Sequence, residues 1–269
     1  MMQQTTKPMI TDEMKKQFDE EGYFILPSVV CPAVLENLRG CLDKEIQLVH
    51  QKMDKEGTDQ YGITHRNKRY FISNQSFRNA AMYNFAFSEL MFNICKATLG
   101  DKAFLFFEQF VVKSAKQNGQ PGMSFAWHQD SGYIRHSHPF YLSCWVALDD
   151  MTEENGTLRV LPYKRGGGKN PVTHFRKQIT NDMVGYVGED KGELVCVPAG
   201  SVVVFSSFTL HCSGENNTDK PRRSYLTQYS TEPIMNENGD DFHALAIPFI
   251  ENGVKISKNY ENYSHPTNS

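Results

Sequence analysis

Apolar residues along this chain are spaced first as in helices and then, from about Ala103 onward, as in strands. After a polar start over residues 1–9, Thr11 or Asp12 can cap a short helix that runs to about Glu20 and is stopped by Gly22. Tyr23-Phe24-Ile25-Leu26-Pro27 has the composition of a strand. Val34, Leu35, Leu38, Leu42, Ile46 and Val49 then recur at helical intervals behind Pro32, which suits a first turn, and they predict a second helix from Pro32 to about Met53. Residues 54–69 are polar and irregular, and Asn79 to Leu99 predicts one more helix before Gly100. Short apolar and aromatic runs follow, divided by Gly, Pro, Asn and Asp: Ala103 to Lys113, Tyr141 to Leu148, Leu158 to Leu161, Leu194 to Pro198, Ser201 to Phe205 and Arg223 to Tyr229. These predict a β-sandwich or barrel with helices packed outside. A single domain over residues 1–269, with frayed ends at about 1–9 and 258–269, is expected for a mainly β chain of this length.

Composition narrows the function classes. A hydrophobic fraction of 39% and a charged fraction of 22% are those of a globular chain able to bury a core without disulfides. The net charge of -3, with no dominant basic tract, gives no reason to expect nucleic acid or an anionic membrane, so a small molecule is the expected partner. Six cysteines show no CxxC spacing and fall in predicted core segments, which reads as reduced thiols rather than a zinc site. The N-terminus lacks the apolar core of a secretory signal and no stretch is long enough to span a bilayer, so the cytoplasm is the expected location. Gly166-Gly167-Gly168 follows no Walker pattern and reads as a loop.

The candidate chemistry begins at Trp127-His128-Gln129-Asp130. On an extended strand His128 and Asp130, two apart, point to one face. His211 follows the apolar run Val202-Val203-Val204-Phe205 and would sit on or just after another strand, which a folded sheet can bring to the first pair. Two imidazoles and one carboxylate on one face of an octahedron leave the remaining positions open, the arrangement of non-haem Fe(II) oxygenases. His-x-Asp alone is a weak signal. Arg222, eleven residues beyond His211, strengthens it, because a guanidinium can clamp the far carboxylate of a dicarboxylate that chelates the metal. Arg223 is its rival, since neighbours on a strand face opposite ways. His136 and His138 have a spacing that could mimic a second metal pair, whereas His65, His174 and His243 look isolated.

In the order and spacing of these motifs the chain resembles the phytanoyl-CoA dioxygenase family of Fe(II)- and 2-oxoglutarate-dependent oxygenases. The resemblance runs from Glu20-Glu21-Gly22-Tyr23-Phe24-Ile25-Leu26-Pro27 through Trp127-His128-Gln129-Asp130, Trp145-Val146-Ala147-Leu148-Asp149-Asp150, Glu154-Asn155-Gly156-Thr157-Leu158 and His211-Cys212-Ser213-Gly214-Glu215-Asn216 to Pro221-Arg222-Arg223. It implies a double-stranded β-helix, or jelly roll of the cupin-like kind, with N-terminal and flanking helices. It also implies iron ligands at His128, Asp130 and His211, a 2-oxoglutarate clamp at Arg222, and further co-substrate contacts at Gln129, Trp145, Ser213 and Gln109. The implied activity consumes O2 and 2-oxoglutarate and hydroxylates an aliphatic C–H of a small or medium metabolite, including an anionic one, with release of succinate and CO2. Related halogenases leave the carboxylate position vacant, so Asp130 disfavours halogenation. Arg135, His136, Lys164, Arg165 and Lys169 could form a basic rim for an anionic substrate or could be solvated loop charges. Two other classes compete: a non-catalytic metal-binding jelly-roll module, and a zinc hydrolase with the same three ligands.

Overall fold

A computed structural model describes residues 10–166 and 168–256, so the expected frayed ends and Gly167 lie outside the described residues. Thr11 caps the first helix, α1 (Asp12–Glu21), through its side chain, and Gly22 closes it in the left-handed conformation at φ 85°. Strand β1 (Tyr23–Leu26) follows, then α2 (Pro32–Glu56), which opens on Pro32 and ends at left-handed Gly57, three residues later than its apolar periodicity predicts. The single helix expected over Asn79 to Leu99 is two, α3 (Ala80–Ala86) and α4 (Glu89–Thr98). Asn79 caps the first, and Ser88 interrupts the run by accepting the Met91 N–H as a new N-cap.

The principal strands that follow are β2 (Arg69–Ser73), β3 (Ala103–Lys113), β4 (Phe125–His128), β5 (Tyr141–Ala147), β6 (Leu158–Leu161), β7 (Glu193–Leu194), β8 (Val202–Ser206), β9 (Leu210–Ser213), β10 (Arg222–Ser230) and β11 (Ile247–Glu251). The strand expected at Leu194 to Pro198 is only the short β7, and β2 and β11 have no counterpart in the sequence reading. The large antiparallel sheet runs β1-β8-β5-β10-β3-β2, continued by two short strands, with β11 on β3; the smaller runs β7-β6-β9-β4. The fold is a double-stranded β-helix with flanking helices.

Strand alternation divides the large sheet into two faces. One face carries Phe110, Val112, Cys144, Val204 and Tyr225 against the apolar stripes of α2, α3 and α4, including Leu38, Leu42, Phe85 and Met91. The other carries Trp145, Ala147, Phe205 and Leu226 against Leu158 and Val160 of the smaller sheet. At the end of this second core the sheets enclose a cavity.

Glu108 lies on the helix-facing side of β3, fully buried, with Oε1 accepting the Ser76 N–H at 2.8 Å. Burial raises its carboxyl from 4.5 to about 7, against the lowering effect of the Ser76 N–H. A raised carboxyl stabilises the fold fully below its unfolded value and loses that contribution as pH rises through about 7. Glu108→Gln is therefore expected to be less pH-sensitive than wild type, by up to about 3 kcal/mol between about pH 5 and pH 8 in urea unfolding curves.

Candidate metal centre

Antiparallel pairing of β9 with β4 sets His211 directly opposite His128. Their ring centroids are 4.1 Å apart. His128 Nδ1 lies 2.8 Å from Ala126 O, and His211 Nδ1 3.0 Å from Thr209 O. A carbonyl only accepts, so both Nδ1 atoms carry the proton and both Nε2 atoms present a lone pair. Asp130 opens a 3-10 turn (Asp130–Tyr133) rather than continuing β4, yet Gln129 is extended at φ -101° and ψ 143°, so the expected alternation holds across it. Asp130 Oδ1 stands 3.7 Å from His128 Nε2 and 3.5 Å from His211 Nε2. The three ligand atoms lie within 4.8 Å of one another, and among the described residues no other His, Cys, Asp and Glu group of three or more does so. His136 and His138, with ring centroids 6.4 Å apart, gain no third ligand.

The other carboxylate oxygen is held from behind. Asp130 Oδ2 accepts from Ser143 Oγ at 2.6 Å and Gln228 Nε2 at 2.8 Å, and Gln228 also reaches Ser143 at 2.9 Å. Burial alone would raise the Asp130 carboxyl, but the two imidazoles and Ser143 outweigh it and bring it down to about 2. Burial, reinforced by His128, brings His211 down to about 4, so its imidazole is neutral and ready for a metal at neutral pH.

Arg222 is buried on β10, and its guanidinium lies 5.6 Å from the Trp145 ring centroid. Nη2 donates to Gly156 O at 2.8 Å and Nη1 to Ser224 Oγ at 3.3 Å, while Nε has no partner among the described residues. Gly156 must be glycine to supply that carbonyl, because at φ 72° a Cβ would collide with the backbone of Gly214 and Glu215. Arg223 turns to the opposite face, where Asp149 takes Nε at 2.9 Å and Nη2 at 2.7 Å. Arg222, Trp145, Ser213 and Gln109 all line the cavity with the three ligands. Gln109 also donates to Ser73 Oγ at 2.7 Å. Gln129 does not join them: it is fully buried, donates to Asn170 O and Phe208 O, and accepts the Val172 N–H. The alternation that puts His128 and Asp130 on one face puts Gln129 on the other.

Three residues at this centre escaped the sequence reading. Gln228 has a signal in its even spacing from Arg222 along one strand, and Ser143 in its spacing of two from Trp145. His174 has none, since it comes from a loop 44 residues past Asp130. Its Nδ1 donates to Val172 O at 2.8 Å and its Nε2 accepts the Gln129 N–H at 2.9 Å, which fixes the backbone between the two ligands. Gly132 and Gly185 both meet this ring, and a Cβ on either would collide with it.

Comparison with known proteins follows the same lines. The family model described as Phytanoyl-CoA dioxygenase (PhyH) matches residues 18–224. The chain is 29% identical over 155 residues to a probable alpha-ketoglutarate-dependent hypophosphite dioxygenase of Stutzerimonas stutzeri, covering 52% of this chain and 53% of that protein. It is 30% identical over 154 residues to an ectoine dioxygenase of Stutzerimonas stutzeri (strain A1501), covering 49% of this chain and 51% of that protein. The matched segment thus spans about half the length of each of these two curated relatives. Among solved structures, the non-heme alpha ketoglutarate dependent epimerase SnoN from nogalamycin biosynthesis superposes with a TM-score of 0.63 at 17% identity, over 93% of this chain and 96% of that one, a likeness of fold.

The hydrogen bonds behind the ligands predict that His174→Ala, and separately the Ser143→Ala/Gln228→Ala double variant, lower divalent metal affinity by about tenfold to a hundredfold, as measured by anaerobic Co(II) titration. Gly185→Ala should weaken it likewise by displacing the His174 ring.

Proposed function

The chain belongs to the phytanoyl-CoA dioxygenase family, and from that premise we propose that it is an Fe(II)- and 2-oxoglutarate-dependent dioxygenase that hydroxylates an aliphatic C–H of a small or medium metabolite, releasing succinate and CO2. The observation that carries the reading is the buried Arg222, which lines the same cavity as the His128, Asp130 and His211 cluster. Two imidazoles and one carboxylate are a donor set that suits Fe(II) and would leave positions for a bidentate co-substrate and O2. A zinc hydrolase or a structural metal module has no use for the arginine.

Each residue then has a task. His128, Asp130 and His211 would hold the iron, and Ser143 and Gln228 keep Asp130 Oδ1 turned toward it. Arg222, backed by Trp145, would take the far carboxylate of 2-oxoglutarate, with Ser213 and Gln109 beside it. Iron with 2-oxoglutarate, when bound, supplies the O2 activation that attacks a C–H bond. The apolar wall around the cluster would shield the reacting centre from water once substrate fills the cavity, and would fix the substrate's approach. All six cysteines are free, which supports a reducing compartment such as the cytoplasm. The relatives' names range from hypophosphite to ectoine, so no substrate is carried over from them.

Anaerobic addition of Fe(II) and 2-oxoglutarate should give a weak visible charge-transfer band, and admission of O2 should give succinate; absence of both overturns the reading. His128→Ala should abolish iron-dependent turnover. Arg222→Ala should raise the KM for 2-oxoglutarate by about a hundredfold, and Arg223→Ala by less than about threefold. A larger defect in Arg223→Ala would transfer the clamp to that residue.

A further inference from the structure

The cavity, about 330 Å³ in volume, has a one-sided chemistry. Beyond the metal ligands and Arg222, its wall is largely hydrocarbon, with Phe71, Phe106, Phe107, Phe125, Val111 and Ile134 prominent in it. Arg222 is the only lysine or arginine among the lining residues and Asp130 the only carboxylate, while His243, which also lines the cavity, is held below its usual value by burial and by His136 and His138.

Cations near the wall are already engaged. Arg69 is buried and lies 5.5 Å and 5.3 Å from the ring centroids of Phe71 and Phe125, but its guanidinium bonds Asp182 at 2.6 Å and the carbonyls of Ile63, Ser124 and Thr180. Lys113 Nζ spends its donors on the carbonyls of Met123, Ser213 and Gly214. The residues expected to form a basic rim do not reach the cavity. Lys164 pairs with Glu21 at 2.7 Å, Arg165 with Asp190, and Arg135 and His136 line a second cavity whose wall shares Ile134 with the first.

Formal charge points the same way, granted the oxygenase reading on which this inference rests. Fe(II) and Arg222 bring three positive charges, and Asp130 with the two carboxylates of 2-oxoglutarate brings three negative ones. The loaded site is neutral before substrate enters. An anionic group would then lose its hydration against phenyl rings with no counter-charge to replace it.

We propose that the part of the substrate filling this cavity is uncharged and apolar, an aliphatic or aromatic hydrocarbon surface packed against the Phe71, Phe107 and Phe125 side of the wall. Any charged group of the substrate lies outside it.

A matched pair of fluorescent probes tests this on the chain loaded anaerobically with Fe(II) and 2-oxoglutarate: N-phenyl-1-naphthylamine, which is neutral, and 8-anilinonaphthalene-1-sulfonate, the same skeleton with a sulfonate. The neutral probe should bind at least about tenfold more tightly. Phe107→Lys, which adds a cation to a half-buried wall position, should reverse the preference, with the charge-transfer band showing that the metal site is intact. Equal or tighter binding of the sulfonate to the wild-type chain, or binding of neither probe, overturns the inference while the band stands. A missing band overturns the oxygenase reading and this inference with it.

Discussion

The pairing of His211 with His128 across two antiparallel strands is the constraint on which the rest of the centre depends. A one-residue slip in that register would send one imidazole to the far face of the smaller sheet. The register is held from outside the sheet. Thr209, whose carbonyl orients His211, donates its hydroxyl to Gly22 O at 2.8 Å, so the end of the first helix is tied to a candidate metal ligand. Gly22 is closely confined there, because a Cβ would lie 2.6 Å from Thr209 Oγ1 and from the Tyr163 ring. The motif that starts at Glu20 thus shares its physics with the motif that starts at His211.

A second constraint is electrostatic. Arg69, Lys113 and Arg222 are all buried in one region, and Arg222 and Lys113 are direct partners in the β10–β3 register. Burial, with Arg222 and Arg69 adding to it, drives the Lys113 amine well below its usual value. Burial also lowers Arg222 to about 10, which leaves it charged at neutral pH. The interior satisfies Lys113 with backbone carbonyls and Arg69 with Asp182, and among the described residues the Arg222 Nε has no partner. A buried cation short of partners costs stability, which a carboxylate partner would offset.

Much of this was legible in the chain because alternation along a strand is a local rule. His128 with Asp130 follows from a spacing of two, and the opposition of neighbours separates Arg222 from Arg223, although the choice between those two came from the family resemblance. The same rule, carried further, turns Gln129 away from the cavity, where position within the motif had suggested a co-substrate contact. The illegible parts are those set by long-range closure. His174 reaches Gln129 from a loop with no periodic signal, and the smaller sheet's edge at Glu193–Leu194 is short because only two residues pair with Leu158–Leu161. The break between α3 and α4 turned on one serine, whose capping hydroxyl outweighed an apolar run that continues through it.

Strand β10 shows how the fold keeps chemistry and stability apart. Arg222, Leu226 and Gln228 line the cavity, at even spacings. The intervening positions anchor the helical layer: Tyr225 packs on Phe110 with ring centroids 4.6 Å apart, and the Tyr229 hydroxyl donates to Ala86 O at 2.6 Å. Through this strand the helices act on the site by way of its backbone, fixing where its even-numbered side chains emerge. A cavity wall built this way can exchange one apolar side chain for another with little effect on the core behind it, because the two sets of side chains are on opposite faces of the sheet. His128, Asp130 and His211, the candidate metal ligands, lack that freedom, since each is aimed by a hydrogen bond with its own surroundings.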